Sequence, residues 1–535
     1  MRGNRLWCVG VCVVWGACGD GGDGADATSA DTSVVDSSVA GDGDVATADD
    51  AAADADATGE TPPATWAERG LGEVRTILHL HSAFSHDGCD NGDGVYNLTC
   101  IHRMKAALCA EHIGMTFMTD HPAHMREHAF GELLYAEPEL GDVVLKGEGD
   151  APIGVRFACP AGQGGPDGKV NFFVGFEGTH LMGVGLAKHV SPLESYSIDF
   201  TDATSSEDLD KATAAVRAAG GFVTIAHSEE TELSAETIIA HDVPAMELYN
   251  FHANFKAVLG GGLGDKLFEL DAFLDPTAEV PDPDLTALVM FDTYPEPALT
   301  KWRTVSLARP VTAFAGSDIH ENASLPAFCA NEGVCDGLAT DYPNLVAALS
   351  HEGPVMQSDG ERLDAYARIL GWVQNRVLVP TAASDVAAGT REAFLAGKNV
   401  VVFEVLGEAT GETLVARGPT GTLADMGSTV TVEDHMTLWA RAPELPLPGL
   451  RASWTDGSAA ALEAVVWRTD ASGTHEVARW SDPGTWKSVP LDQTGSYHME
   501  VWLTPHHLAD ALGPAESLAD ETYRWVETNA IRVEP

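Results

Sequence analysis

Between Trp66 and about Leu406, short apolar runs alternate with helix-like segments, and this rhythm predicts an α/β unit. Strands are expected at Val74 to Leu80, Met115 to Thr119, Phe172 to Phe176, Phe222 to Ala226, Ala245 to Tyr249 and Val311 to Ala315. Helical patterns over Leu98 to Glu111, Ser206 to Ala219 and Thr300 to Ala308 precede three of them. Gly114 and Gly220-Gly221 stand where a C-cap glycine would end two of these helices. From about Gly411 the period changes to two, as in Thr429-Val430-Thr431-Val432 and Tyr497-His498-Met499-Glu500-Val501-Trp502. Turns rich in Gly, Asp and Pro separate these runs, so residues 411–535 are expected to form a small β-sandwich after an α/β unit at 66–410. Trp439, Trp467 and Trp502 fit the core of such a sandwich.

The segment before Trp66 obeys neither pattern. From Gly19 to about Thr65 it is almost wholly Asp, Ala, Gly, Ser and Thr with no Lys or Arg, a composition expected to act as a disordered tether. Ahead of it, Arg2 and Arg5 precede an apolar stretch from Leu6 to Trp15 and then Gly16-Ala17-Cys18. This is the layout of an export signal, and the small residues before Cys18 favour a lipoprotein leader over residues 1–18. An exported protein, lipid-anchored in a bacterial envelope and meeting the membrane only through Cys18, is the expectation. No later stretch is apolar for long enough to span a bilayer.

Nine cysteines are present, and with Cys8, Cys12 and Cys18 in the leader six remain. An even remainder suits an oxidising compartment. Cys329 and Cys335 are expected to pair across a short loop, while Cys89, Cys100, Cys109 and Cys159 allow several connectivities. The formal charge of −49 over 535 residues opposes non-specific attraction to nucleic acid.

Candidate chemistry sits at the ends of the predicted strands. His79-Leu80-His81, Asp120-His121, Glu177 and His180, His227, and Asp318-Ile319-His320 each lie at or just beyond a strand's C-terminal end, with His86-Asp87 a few residues after the first pair. Loops after parallel strands converge on one face of an α/β fold. Imidazoles and carboxylates gathered there suit zinc, manganese or iron. Glu247 and Asn250 lie at another strand end, expected behind the ligands rather than among them. Asp120 is expected to orient the neighbouring His121, or to cap a turn.

The segment His79-Leu80-His81-Ser82-Ala83-Phe84-Ser85-His86-Asp87-Gly88 resembles the first motif of the PHP family, named for polymerase and histidinol phosphatase domains. Thr119-Asp120-His121, Gly175-Phe176-Glu177 with His180-Leu181-Met182-Gly183, Ala226-His227-Ser228 and Gly316-Ser317-Asp318-Ile319-His320 resemble the later motifs, in order. The resemblance spans roughly residues 73 to 405. It implies a distorted, seven-stranded TIM-like β/α barrel with two or three divalent metal ions and hydrolysis of a phosphoester. It also implies one ion on His79, His81, Glu177 and Asp318, and a second on Glu177, His180 and His227. A third would rest on His121 and His320, with a further ligand from His86 or Asp87. The chain departs from the family's Ser-Asp-Gly by reading Ser85-His86-Asp87-Gly88, and from Ala-His-Pro by Ser228.

No concentrated Lys or Arg patch accompanies these motifs, so the metals must supply the positive charge for an anionic substrate, expected to be a small or medium phosphorylated compound. Two other readings are an amidohydrolase-like hydrolase, disfavoured because Glu177 stands where that class bridges through a modified lysine, and a non-catalytic, metal-stabilised binding protein at the cell surface. His102, His112, His124, His128, His189, His506 and His507 are expected to be ordinary surface or loop histidines.

Overall fold

The structure, a computed structural model, describes residues 61–85, 87–89, 97–191, 206–230, 233–257, 266–275, 282–291, 296–322, 324–325, 339–350 and 353–535. The leader, the acidic segment up to residue 60, His86 and the expected Cys329 to Cys335 pair lie outside the described residues. The described chain is a mixed α/β protein with large sheets.

In chain order the first strands are β1 (Leu71–Leu80), β2 (Ile113–Met118), the hairpin of β3 (Val143–Lys146) and β4 (Pro152–Ala158), then β5 (Lys169–Val174), β6 (Phe176–Glu177) and β7 (Leu181–Val184). They are followed by β8 (Phe222–Ile225), β9 (Ala245–Asn250), β10 (Thr312–Ile319), the short pair β11 (Ser324–Leu325) and β12 (Gly353–Pro354), β13 (Gln374–Pro380) and β14 (Asn399–Val402). A parallel ladder runs β5, β2, β1, β10, β9, β8. It continues antiparallel through β7 to β6. Among the described residues these pairings do not close into a hydrogen-bonded barrel, although only Gly175 separates β5 from β6.

Every residue of β2, β9 and β10 is buried, as expected of parallel strands covered on both faces. Leu78, Phe117, Met182, Phe222, Phe314 and Val377, each from a different strand, pack into one apolar cluster that Phe394 of helix Val386–Leu395 covers. The ligand-bearing strand ends therefore rise from a packed interior rather than from a flexible rim.

The helices Leu98–Ala110 and Ser206–Ala218 match the expected segments, and Glu296–Ala308 starts a turn earlier than expected, with Pro297 in its first turn where a missing N–H costs nothing. One expected cap is corrected. Gly220, at φ +92°, ends its helix as anticipated, but the first helix is terminated by His112, at φ +56°. Gly114 serves a different need: a Cβ there would stand 2.7 Å from Val74 Cγ1, so glycine allows the close approach of β1 and β2.

Beyond residue 410 the strands form two groups. One is a four-stranded antiparallel sheet ordered Leu423–Asp425, Thr413–Arg417, Thr437–Arg441, Trp486–Pro490. The other pairs Gly473–Trp480, Ala461–Asp470, Gly495–Thr504 and Tyr523–Thr528, and the last of these hydrogen-bonds antiparallel to β14. Asn529 reinforces that junction, accepting from Ala313 N (2.7 Å) and donating to the Asn399 carbonyl (2.8 Å). The Trp439 side chain is buried against Trp486, while Arg303 and Arg524 lie over the rings of Trp467 and Trp502. Four cysteines form Cys89–Cys100 and Cys109–Cys159, one of the open connectivities. No helix among the described residues is long and apolar enough to cross a membrane.

Candidate metal centre

Three backbone positions set the geometry. His79, His227 and Asp318 all adopt left-handed conformations, at φ +66°, +48° and +48°. Such backbone costs on the order of 1–3 kcal/mol per non-glycine residue and is retained where surrounding structure over-determines it. The β1–β10 register shifts between Leu78 and Leu80, directly at His79. Regular strand alternation is therefore not what brings His79 and His81 together: a bulged, left-handed strand end turns both rings onto the same pair of carboxylates.

Those carboxylates are Glu177 and Asp318. His79 Nε2 lies 3.1 Å from Glu177 Oε1 and 3.2 Å from Asp318 Oδ1. His81 Nε2 lies 3.0 Å from Glu177 Oε2 and 3.2 Å from Asp318 Oδ1. On the far side of Glu177, its Oε1 meets His227 Nε2 at 2.7 Å and its Oε2 faces His121 Nδ1 at 3.7 Å. Glu177 thus touches four imidazoles through both oxygens. A second group adjoins the first: Asp87 Oδ2 lies 3.5 Å from His121 Nε2 and 3.4 Å from His320 Nε2, and the His81 and His320 rings stack at 3.8 Å. His79, His81, Glu177 and Asp318 form one ligand-spaced cluster, and His81, Asp87, His121 and His320 form another.

His180 is buried but belongs to none of the ligand-spaced groups among the described residues, and its Nδ1 lies 3.3 Å from Glu230 Oε2. Asp120 is committed elsewhere: its two oxygens accept from Ser82 N and Ser82 Oγ, both at 2.6 Å, tying the loop after β1 to the loop after β2. Glu247 stands behind the cluster. Its Oε1 meets His79 Nδ1 at 2.9 Å, and its Oε2 accepts from His227 N (2.8 Å) and from Asn250 Nδ2 (3.1 Å). Asn250 Nδ2 also donates to Asp318 Oδ2 at 3.2 Å. Glycine is required at Gly316, where a Cβ would overlap the Glu247 carboxylate.

Several contributors carry no clear mark in the sequence. Glu229 lies 3.3 Å from His227 Nδ1, completing with Glu247 and Glu230 a set of carboxylates on the outward nitrogens of three imidazoles. Such partners fix the tautomer and aim the other nitrogen at a metal. The pair Glu229-Glu230 directly after His227-Ser228 was the available signal. Lys301, more than seventy residues away on helix Glu296–Ala308, donates to the Ser228 carbonyl (2.8 Å) and to that of Glu230, holding this loop. The His252 ring lies 5.6 Å from that of His320. Of the histidines expected to be ordinary, His102 meets Glu137 at 2.8 Å, His189 the His128 carbonyl at 2.8 Å and His506 Asp520 at 3.2 Å, whereas His507 is buried against the Trp454 ring and lies 3.2 Å from the Leu406 carbonyl.

The electrostatics are those of a site built for cations. Burial works against the charged imidazole at His79, but Asp318, Glu177 and Glu247 outweigh it and leave its pKa well above the ordinary value. The same opposition lifts His121 to about 9, against burial, through Asp87 and Glu177. Burial likewise opposes ionisation of Glu177 and Asp318, yet the facing imidazoles hold both well below the ordinary carboxylate range. Four buried atoms, His79 Nε2, His81 Nε2, His320 Nε2 and Asp318 Oδ1, have no hydrogen-bond partner. Buried polar atoms are seldom left so. Three of them belong to the first ligand-spaced cluster and His320 Nε2 to the second, and their chemistry fits divalent metal.

No family model and no curated protein matches the chain. Among solved structures it is similar to a two-domain protein from Bacteroides vulgatus that contains a predicted PHP-like metal-dependent phosphoesterase. That similarity covers 85% of this chain and 96% of the other, at 12% identity and a TM-score of 0.29, a likeness too low to carry an argument about fold or activity.

Proposed function

We propose that the chain is a metal-dependent hydrolase of the PHP kind that cleaves a phosphate ester. The observation that carries this reading is the gathering of buried His79 Nε2, His81 Nε2, His320 Nε2 and Asp318 Oδ1, none of them in a hydrogen bond, in two adjoining ligand-spaced clusters. In this reading His79, His81, Glu177 and Asp318 would hold one ion, Asp87, His121 and His320 another, and Glu177 would link the first to His227. Divalent ions held by these residues would acidify water toward neutral pH and offset charge on phosphoryl oxygens. The chain's own part is preorganisation. Glu247 and Glu229 keep the Nδ1 side of His79 and His227 occupied, so that each Nε2 faces inward. Asn250 fixes Asp318, and Asp120 fixes the loop of Ser82. His180, whose carbonyl accepts from Ala226 N next to His227, is assigned to the ion that Glu177 and His227 would face.

The arc of strands supports a distorted barrel, because β5 and β6 are one chain segment joined through Gly175 and so bring the two ends of the ladder together. Residues 66–410 are assigned to that catalytic unit and 411–535 to a β-sandwich module packed on it. Export through the leader, with an anchor at Cys18, completes the proposal. Purified protein supplied with Zn²⁺ or Mn²⁺ should turn over members of a panel of phosphomonoesters and phosphodiesters, with activity lost in Asp318→Ala and His81→Ala. Absence of turnover across the whole panel would sink the assignment.

A further inference from the structure

Most candidate ligands stand on strand ends or just after them, where the ladder fixes the backbone. Asp87 does not: it belongs to the loop leaving β1, and its carboxylate must still reach His121 and His320. We propose that the Cys89–Cys100 disulfide is the positioning element for Asp87, and hence for the ion that Asp87, His121 and His320 face. The inference rests on the metal-centre reading above.

The bond joins the loop, two residues past Asp87, to helix Leu98–Ala110, whose Ile101, Met104 and Leu108 are anchored in the core. Its two cysteines are themselves buried. Cys89 N donates to the His320 carbonyl at 2.7 Å, so the same half-cystine grips the strand end that carries one of the facing imidazoles. Tyr366 Oη, 3.5 Å from Cys89 Sγ, donates to the His81 carbonyl at 2.6 Å, which places the disulfide directly behind another. Asn322 Nδ2 donates to the Asp87 carbonyl at 2.5 Å, and Ser85 Oγ to Asp87 Oδ1 at 2.7 Å. Between them, Gly88 is pressed so closely on the Ser82 carbonyl that a Cβ would overlap it. A ligand must be held to about half an ångström to bind well, and here a covalent tie substitutes for the missing ladder. Cys109–Cys159 provides the internal control, since it ties the end of the same helix to the segment after β4, and among the described residues the backbone bonds its cysteines make beyond the helix go to His112, Gly164 and Gly168 rather than to a candidate ligand.

The test is Mn²⁺ titration of the purified full-length chain by calorimetry, with bound metal counted after dialysis. Cys89→Ser/Cys100→Ser should weaken one class of ion by about tenfold or more, the scale of lost ligand support, and leave the other ions unchanged. Adding Asp87→Asn to that variant should cost nothing further, and Cys109→Ser/Cys159→Ser should bind metal as the wild type does. Asn322→Ala, which keeps the disulfide, should weaken the same ion by less, and it decides the matter if the double serine variant does not fold. Unchanged affinity for every ion in the disulfide variant overturns the proposal, as does uniform weakening to which Asp87→Asn adds its full effect. If the double serine variant does not fold, unchanged affinity in Asn322→Ala overturns it too. Wild-type protein that binds no Mn²⁺ would instead overturn the metal-centre reading beneath it.

Discussion

Two buried clusters in this molecule use the same residue types to opposite ends. At the strand ends of the α/β region, Glu177 and Asp318 face imidazoles, and among the described residues they form ion pairs with no lysine or arginine. In the C-terminal sheets, His498, Glu500 and Glu527 are also within ligand spacing of one another and also buried. There, however, Glu500 Oε1 accepts from Arg303 (2.6 Å) and Arg524 (2.7 Å), and Glu527 accepts from Arg524 at 2.5 Å. The two guanidiniums hold Glu500 ionised while burial and Glu500 push Glu527 up to about 8, and the imidazole is left neutral: burial, reinforced by both arginines, takes His498 down to about 4. In the first cluster the imidazoles are instead pushed up, because among the described residues no lysine or arginine pairs with Glu177 or Asp318. Ligand-type spacing alone does not distinguish a metal site from an ion-pair network. The missing internal cation does.

The largest effect that separates the two should come from Glu177→Gln. Removing the carboxylate that touches four imidazoles is expected to abolish tight metal binding and turnover while the fold, followed by circular dichroism, persists. The counterpart in the second cluster, Glu500→Ala, should leave metal content unchanged and lower unfolding free energy by about 3–5 kcal/mol, because the half-buried Arg303 guanidinium loses its carboxylate and buried Arg524 keeps only Glu527. Denaturant titration would read that loss. A weak effect on stability would mean the cluster is better hydrated than its burial indicates.

A smaller and pH-dependent effect follows from His498. Its folded pKa, about 4, lies below the ordinary 6.5, so between those values the unfolded chain binds a proton that the folded chain does not. Stability therefore falls as pH drops from about 6.5 toward 4, by at most about 1.4 kcal/mol per pH unit, and this contribution levels off below. His498→Gln should flatten that part of the curve. Glu111 gives the mirror case. Burial raises it to about 8, so it contributes a loss of stability as pH rises from about 4.5 to 8, which Glu111→Gln should remove. The smallest effect is expected from Glu229→Gln, which keeps a hydrogen bond to His227 but weakens its orientation, at about tenfold in metal affinity.

The comparison also explains what was legible in the sequence. His79-Leu80-His81 and Asp318-Ile319-His320 announce themselves because apolar runs lead into them, and the six expected strands lie within a few residues of observed ones, whereas β3, β4, β7, β13 and β14 were not expected. β10 extends past the expected Ala315 because Gly316, Ser317 and Asp318 interrupt the apolar run while remaining buried in the strand. Backbone strain at His79, His227 and Asp318 has only a weak signature in residue type, since Asp and His are enriched at left-handed φ but seldom adopt it. The contributions of Lys301 and Tyr366 depend on contacts across more than seventy residues, which no local pattern encodes. Nor could alternation in the C-terminal segment reveal that its strand Tyr523–Thr528 would hydrogen-bond to β14 of the α/β region.

The central claim is that the first cluster is a metal centre and the second is not. Elemental analysis of protein purified without chelator, combined with anomalous diffraction to place each ion, tests it most directly. The account predicts two or three ions among His79, His81, Asp87, His121, Glu177, His227, Asp318 and His320, and none at His498, Glu500 and Glu527. Fewer than two ions at the first cluster, or an ion at the second, would contradict it.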